Sequence, residues 1–238
     1  MQIDTKGLGF AELNEIVRNS GEQTIELYNV CGQRYIASGL SGKEIKITGT
    51  PGNALGAYLN GCNIKVFGNA QDATGDTLNS GSIFIEGSAG DACGYAMRGG
   101  KIYVKENVGY RAGIHMKEYK DMKPVIVIGG KTGDFLGEYQ AGGIIVVLAI
   151  KSDGPSVGSY CGTGMHGGKI FVRKTRPKNL PPQVSVSKAE KKELEAISPY
   201  IAEFCSVFGY DSGKLLSDDY YVLSPNTKNP YHRLYTQN

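Results

Sequence analysis

Three groups of residues in this chain have types and spacings that invite a chemical reading. Gly162-Thr-Gly164-Met-His-Gly167 has the glycine spacing of a dinucleotide fingerprint, in which a tight turn lets backbone N–H groups approach a pyrophosphate. Cys161 and His166, with Cys93 and His115, offer the thiolate and imidazole donors of a zinc site. Asp72, Asp91 and Asp134 are carboxylates of the kind that work as acid and base. Each group needs an element that positions it. The fingerprint works between a strand and a helix whose N-terminus holds the phosphates, whereas Gly167 leads into the alternating run Lys169-Ile170-Phe171-Val172. A nucleotide role is therefore not expected. There is no Walker loop, and no Ser-His-Asp or Cys-His pairing follows from spacing. Gln2 at the second position excludes an N-terminal cysteine nucleophile after removal of Met1.

The positioning elements come from an internal repeat. Strands align in one column of Ile45, Ile64, Ile83, Ile102, Ile126, Ile145 and Ile170, and two residues on in a second of Ile47, Val66, Ile85, Val104, Ile128, Val147 and Val172. Ile25 and Leu27 make a weaker first copy. The steps in the first column are 19, 19, 19, 24, 19 and 25 residues, so two copies carry insertions, near Met116–Lys123 and Ser152–Ser156. A side-chain period of two puts both columns on one face of a strand, and β-branched residues suit a packed pleated surface. One 19-residue unit cannot bury that face alone, but stacked units can. Parallel stacking with right-handed crossovers predicts an all-β chain, a right-handed parallel β-helix of about seven to eight coils.

Ahead of the strands runs a column of Gly56, Gly75, Gly94, Gly113, Gly137 and Gly162, predicted to occupy corners that need positive φ or close backbone approach. The chemistry-bearing residues fall into the same register. Cys93 and Cys161 precede that glycine, where Leu55, Thr74, Ala112 and Leu136 also fall, which favours small inward side chains over metal ligands. Asp72, Asp91 and Asp134 lie three before it, as local hydrogen-bonding corner residues. The expectation is that the chain itself has no catalytic residue and binds no cofactor or metal. Between the two ladder columns, Phe84, Tyr103, Val127, Val146 and Phe171 form an outward apolar stripe, preceded by Lys46 and Lys65. Something covers that stripe, either the chain's own C-terminal helix or a partner protein.

The composition changes near Arg173. Of 34 glycines, 32 precede it, while six of nine prolines follow it. We divide the chain into an N-terminal cap at 1–20, with Phe10, Leu13, Ile16 and Val17 at helical spacing, the repeats at 21–173, and a C-terminal linker, helix and irregular arm at 174–238. Ser187-Lys-Ala-Glu190 reads as a capping box for a helix through Phe208, broken or kinked at Ser198-Pro199, and the arm runs from Asp218 to Asn238. A net charge of +3 with no basic stripe argues against nucleic acid. The lack of a long apolar run or a secretory leader, with five cysteines in no disulfide spacing, argues for a cytoplasmic chain without a membrane span.

The repeat resembles the GXGXG domain that closes the large subunit of glutamate synthase and, more distantly, a β-helical subunit of formylmethanofuran dehydrogenase. The resemblance runs from about Asn29 to Val172 and is carried by Gly52-Asn-Ala-Leu-Gly56-Ala57, Gly90-Asp-Ala-Cys-Gly94, Glu138-Tyr139-Gln-Ala-Gly142-Gly143 and Gly164-Met165-His-Gly167-Gly168. It implies a scaffold in a split glutamate synthase, serving glutamate biosynthesis and nitrogen metabolism. The implied partners are a glutaminase-type amidotransferase subunit and an FMN-containing glutamate synthase subunit, and the FMN and iron–sulfur cluster belong to those partners. A homo-oligomer is also compatible. The alternatives are a scaffold in a formylmethanofuran-dehydrogenase-type complex, or an independent enzyme or carbohydrate binder using the cleft beside the insertions.

Overall fold

The computed structural model describes residues 1–226. Strands β1 (Gln2–Asp4), β2 (Thr24–Cys31), β3 (Glu44–Thr50), β4 (Asn60–Phe67), β5 (Ser80–Ile85), β6 (Lys101–Val104), β7 (Val125–Ile128), β8 (Ala141–Val147) and β9 (Gly167–Arg173) lie side by side in chain order, each parallel to the next. The register pairs Ile45 with Ile64, Ile64 with Ile83, Ile83 with Ile102, Ile102 with Ile126, Ile126 with Ile145 and Ile145 with Ile170. All seven isoleucines are buried, so one face of the sheet is a continuous apolar ladder. Helix α1 (Phe10–Asn19) adds Leu13 and Val17 to the same core beside Ile25 and Leu27.

The expected right-handed β-helix is corrected by this topology. All eleven strands belong to one mostly parallel sheet, where a β-helix would carry separate sheets along its other sides. The segments between the strands hold only single bridges, Ala70 to Ala89 to Val108 to Thr132, because their backbone is not extended. The N-terminus is not a helical cap either, since β1 forms the sheet edge ahead of α1. Nor is the C-terminal part a helical tail. Strands β10 (Val184–Lys188) and β11 (Tyr220–Pro225) enclose helices α2 (Lys191–Phe208) and α3 (Ser212–Leu216), and β11 joins the sheet antiparallel to β9. Strand β11 also replaces most of the described part of the irregular arm expected from Asp218; residues 227–238 of that arm lie outside the described residues.

What stacks the connecting segments is a left-handed turn. In the coil of Gly75, the residues Ala73, Gly75 and Thr77 all have positive φ, at 55°, 69° and 51°. Ala73 N–H donates to Asp91 O in the next coil at 2.8 Å and Thr77 N–H to Tyr95 O at 2.7 Å, while Gly75 N–H reaches back to Leu55 O at 2.8 Å. Left-handed residues other than glycine cost about 1–2 kcal/mol each, and these inter-coil bonds offset that by satisfying backbone groups that would otherwise be buried unpaired. At the middle position a side chain does not fit. A Cβ on Gly113 would lie 2.5 Å from Ile145 Cδ1, the ladder isoleucine of the next coil. In the first coil that place belongs to Ala37, also at positive φ.

Helix α2 begins at a capping box formed by Glu190 and Glu193, three residues after the Ser187 expected to start it, which lies in β10. It runs unbroken through Pro199. The ring leaves the Glu195 carbonyl without its usual N–H partner, and Ser198 Oγ donates to that carbonyl at 3.0 Å instead. Gly209, at φ 74°, ends the helix. Where β9 meets β11, the buried Arg173 pairs with Asp218 and donates to Leu148 O at 2.8 Å, closing the last coil.

Candidate functional site

The turn Gly162–Gly167 has left-handed Gly162 and Gly164, at φ 73° and 69°, and feeds β9 rather than a helix, so its N–H groups serve coil stacking. Gly162 N–H donates to Leu136 O at 2.7 Å. Cys93 and Cys161 point into the apolar core, where burial pushes both thiols up to about 12, away from the thiolate form that binds metal. His115 is exposed on the turn surface, stacked on Tyr139 at 5.1 Å and edge-on to Tyr95 at 5.9 Å. Among the described residues, no three His, Cys, Asp or Glu side chains are grouped to hold a metal ion.

The aspartates act along the stack. Asp72 Oδ1 accepts from Asp91 N–H at 2.9 Å, Asp91 Oδ1 from Tyr110 N–H at 2.8 Å and Asp134 Oδ1 from Ser159 N–H at 2.7 Å. Each carboxylate satisfies the backbone of the following coil and is not opposed to a second carboxylate across a cleft. The glycine column, Gly56, Gly75, Gly94, Gly113, Gly137 and Gly162, has φ between 64° and 73° throughout. It faces the ladder.

The outward stripe lies under α2. Tyr103, Val127, Val146 and Phe171 are at most 1% exposed and form a second core with Ile197, Ile201, Phe204 and Phe208 of the helix. Phe84 sits at the margin, partly buried and stacked on Tyr103 at 5.1 Å. Glu203 of α2 accepts from both Lys101 Nζ and Tyr103 Oη at 2.6 Å. The polar half of the sheet's outer face stays open, with Lys65 and Lys105 both bridged to Glu86, at 3.4 and 2.9 Å.

A surface that the ladder-based reading missed is the left-handed turn face. Tyr58, Tyr95, Tyr110 and Tyr160 are each 40–58% exposed there, and Tyr160 stacks on Phe135 at 5.0 Å with Arg111 on its other side, 5.0 Å above the Phe135 ring. The signal was present in the residues flanking the glycine column, but a turn carries no period to mark it. Unlike Tyr160, Tyr95 meets a ring, that of His115, edge-on at 5.9 Å. Two clefts of about 650 and 500 Å³ flank the C-terminal unit. The larger runs beside the start of α2, where Lys169 is paired with Glu193 at 2.6 Å. No helix of the described residues is long and apolar enough to cross a membrane.

Comparison with known proteins gives the family of the chain and a neighbour of its fold. Residues 11–228 match the GXGXG motif family, past the Val172 limit of the resemblance read from the repeats. An uncharacterized protein of Methanocaldococcus jannaschii is 45% identical over 249 residues, covering 98% of this chain and 95% of its own. Among solved structures, a chain of the formyltransferase/hydrolase complex of Methylorubrum extorquens, crystallised with methylofuran, superposes with a TM-score of 0.62 at 18% identity, over 91% of this chain and 87% of that one. At that identity the likeness is one of fold.

Proposed function

The chain belongs to the GXGXG motif family, and from that premise we propose that it is a structural subunit of an oxidoreductase-type complex, specifically the scaffold of a split glutamate synthase. Its part is to hold a glutaminase-type amidotransferase subunit and an FMN-containing synthase subunit together while ammonia released from glutamine is added reductively to 2-oxoglutarate. FMN and the iron–sulfur cluster reside in those partners. The observation that carries this reading is where the reactive side chains go: Cys93 and Cys161 into the ladder core, and Asp72, Asp91 and Asp134 onto the next coil's backbone. Rigid stacking with a covered sheet face is what a platform needs.

The superposition on a chain of the formyltransferase/hydrolase complex supports a second reading, a scaffold in a formylmethanofuran-type assembly. Affinity capture with the full-length tagged chain from native extract, followed by peptide identification, separates the two. Stoichiometric recovery of amidotransferase and flavin-synthase chains, with glutamine-dependent glutamate formation by the recovered assembly, supports the first. Recovery of formylmethanofuran-converting subunits supports the second, and a chain recovered alone overturns both.

A further inference from the structure

The cleft of about 500 Å³ lies between two departures from the 19-residue repeat, loop 153–159 and segment 175–179 that follows β9. Ladder stacking explains neither. Ser156, in the cleft wall, is 2% exposed, and its hydroxyl has no hydrogen-bond partner among the described residues. Its repeat position is that of Asn69, Ser88 and Asn107, whose side-chain oxygens accept the next coil's N–H groups from Ser88 at 2.8 Å, Asn107 at 3.3 Å and Lys131 at 2.8 Å. Ser156 stands in the last coil of the stack, with no following coil to supply that donor. Its hydroxyl is left over at the cleft, and a buried hydroxyl without a partner is destabilising.

The two bases and two acids of its lining cancel formally, but among the described residues neither base is in an ion pair with either acid. Arg176 makes one contact from its guanidinium, to Val186 O at 3.4 Å, and Lys178 has no ion pair among the described residues. Of the two acids at the cleft, Asp134 spends Oδ1 on Ser159 N–H, and the fully exposed Asp153 lies 4.0 Å from Lys174. We propose that this cleft binds a small dianion, a phosphate or a dicarboxylate, through Arg176 and Lys178, with Ser156 donating its hydroxyl from the wall. Arg offers a planar pair of N–H donors that matches either oxyanion, and the cleft is of the size that holds small ligands. This site is independent of the scaffold reading.

Titrating the ¹⁵N-labelled full chain with inorganic phosphate, and separately with succinate, tests it by amide chemical shifts. Saturable shifts confined to residues 153–159 and 175–179 are expected, and the anion that saturates at lower concentration identifies the ligand chemistry. Arg176→Gln should weaken binding by about tenfold, as loss of a charge-assisted pair does, and Ser156→Ala severalfold. Arg111→Gln, at an exposed arginine paired with Glu138, should leave it unchanged. No saturation by either anion, or equal binding by the Arg176→Gln variant in a chain with unaltered remaining shifts, overturns the proposal.

Discussion

Tyr103 Oη donates to Glu203 Oε2 at 2.6 Å, and this bond ties the middle of the sheet to the middle of α2. The phenol is fully buried, and the carboxylate is the one hydrogen-bond partner its hydroxyl has among the described residues. Glu203→Leu should destabilise the fold by about 1–3 kcal/mol through the orphaned hydroxyl, whereas Glu203→Gln, which keeps an acceptor, should lose less. Thermal melts of the two variants check the order, and equal losses would show that the charge on Lys101 matters more than the phenol.

The same pair sets an alkaline limit. Burial, then the hydrogen bond to Glu203, raise the Tyr103 hydroxyl above its usual range, and burial does the same for Tyr220. The folded state therefore keeps protons that the unfolded chain gives up above about pH 10. Stability is full below that pH and falls as pH rises towards the folded values. Denaturant unfolding of wild type and Tyr103→Phe between neutral pH and pH 11 should show a shallower alkaline loss in the variant. Parallel curves would mean that Tyr103 ionises as freely folded as unfolded.

Gly113 and Ile145 offer a cycle that tests the turn column. Gly113→Ala places a methyl 2.5 Å from Ile145 Cδ1 at φ +68°, and should cost more than the roughly 1 kcal/mol of left-handed strain alone. Ile145→Val removes Cδ1 and by itself costs about 0.5–1.5 kcal/mol. The double variant should be more stable than the sum of the single losses implies, by a coupling of about 0.5–3 kcal/mol. Strict additivity in melting experiments would contradict the contact.

Of the five cysteines, Cys31 alone is exposed. Cys62, Cys93, Cys161 and Cys205 are buried, and burial raises all four thiols, Cys93 and Cys161 to about 12. A thiol reagent at neutral pH should modify one site rapidly in the native chain and all five only after denaturation. Rapid labelling of Cys93 or Cys161 would show that the core coils open.

The ladder was legible because its chemistry is redundant: β-branched residues two apart recur in every coil, and the register from Ile45 to Ile170 follows from them. The turns were legible only at their glycines, since Ala73, Thr77, His115 and Tyr139 occupy left-handed backbone without belonging to the residue types that mark it. Parallel stacking with right-handed crossovers led to the β-helix, whereas the structure joins the strands in one sheet and leaves the connecting segments with isolated bridges. Strands β10 and β11 were hidden differently. Val184-Ser-Val186 and Tyr220-Tyr-Val222 are short and pair antiparallel with distant partners, which no local period records. The outward stripe was visible as a strand apolar on both faces, but its cover became definite only with the placement of α2. Ser156 could be singled out only once the last coil was known to be last.

The C-terminal unit gives the final test. Deleting everything after Arg176 removes β10, α2, α3 and β11 together, uncovering Tyr103, Val127, Val146 and Phe171 as well as the backbone edge of β9. Each of those side chains contributes about 1.5–3 kcal/mol when buried, more in sum than a marginally stable domain loses without consequence. Of its buried residues the ladder core from Ile25 to Ile170 loses Val184 and Leu223 and none from α2, so the truncated chain should keep its strand circular dichroism. It should nevertheless self-associate and bind a hydrophobic dye, because a bare apolar stripe beside an open strand edge recruits another copy. A full-length Phe204→Asp variant, with β11 still covering the edge, should bind the dye while associating less. A truncated chain that retains its strand signal yet stays monomeric and dye-silent would show that α2 covers nothing that needs covering.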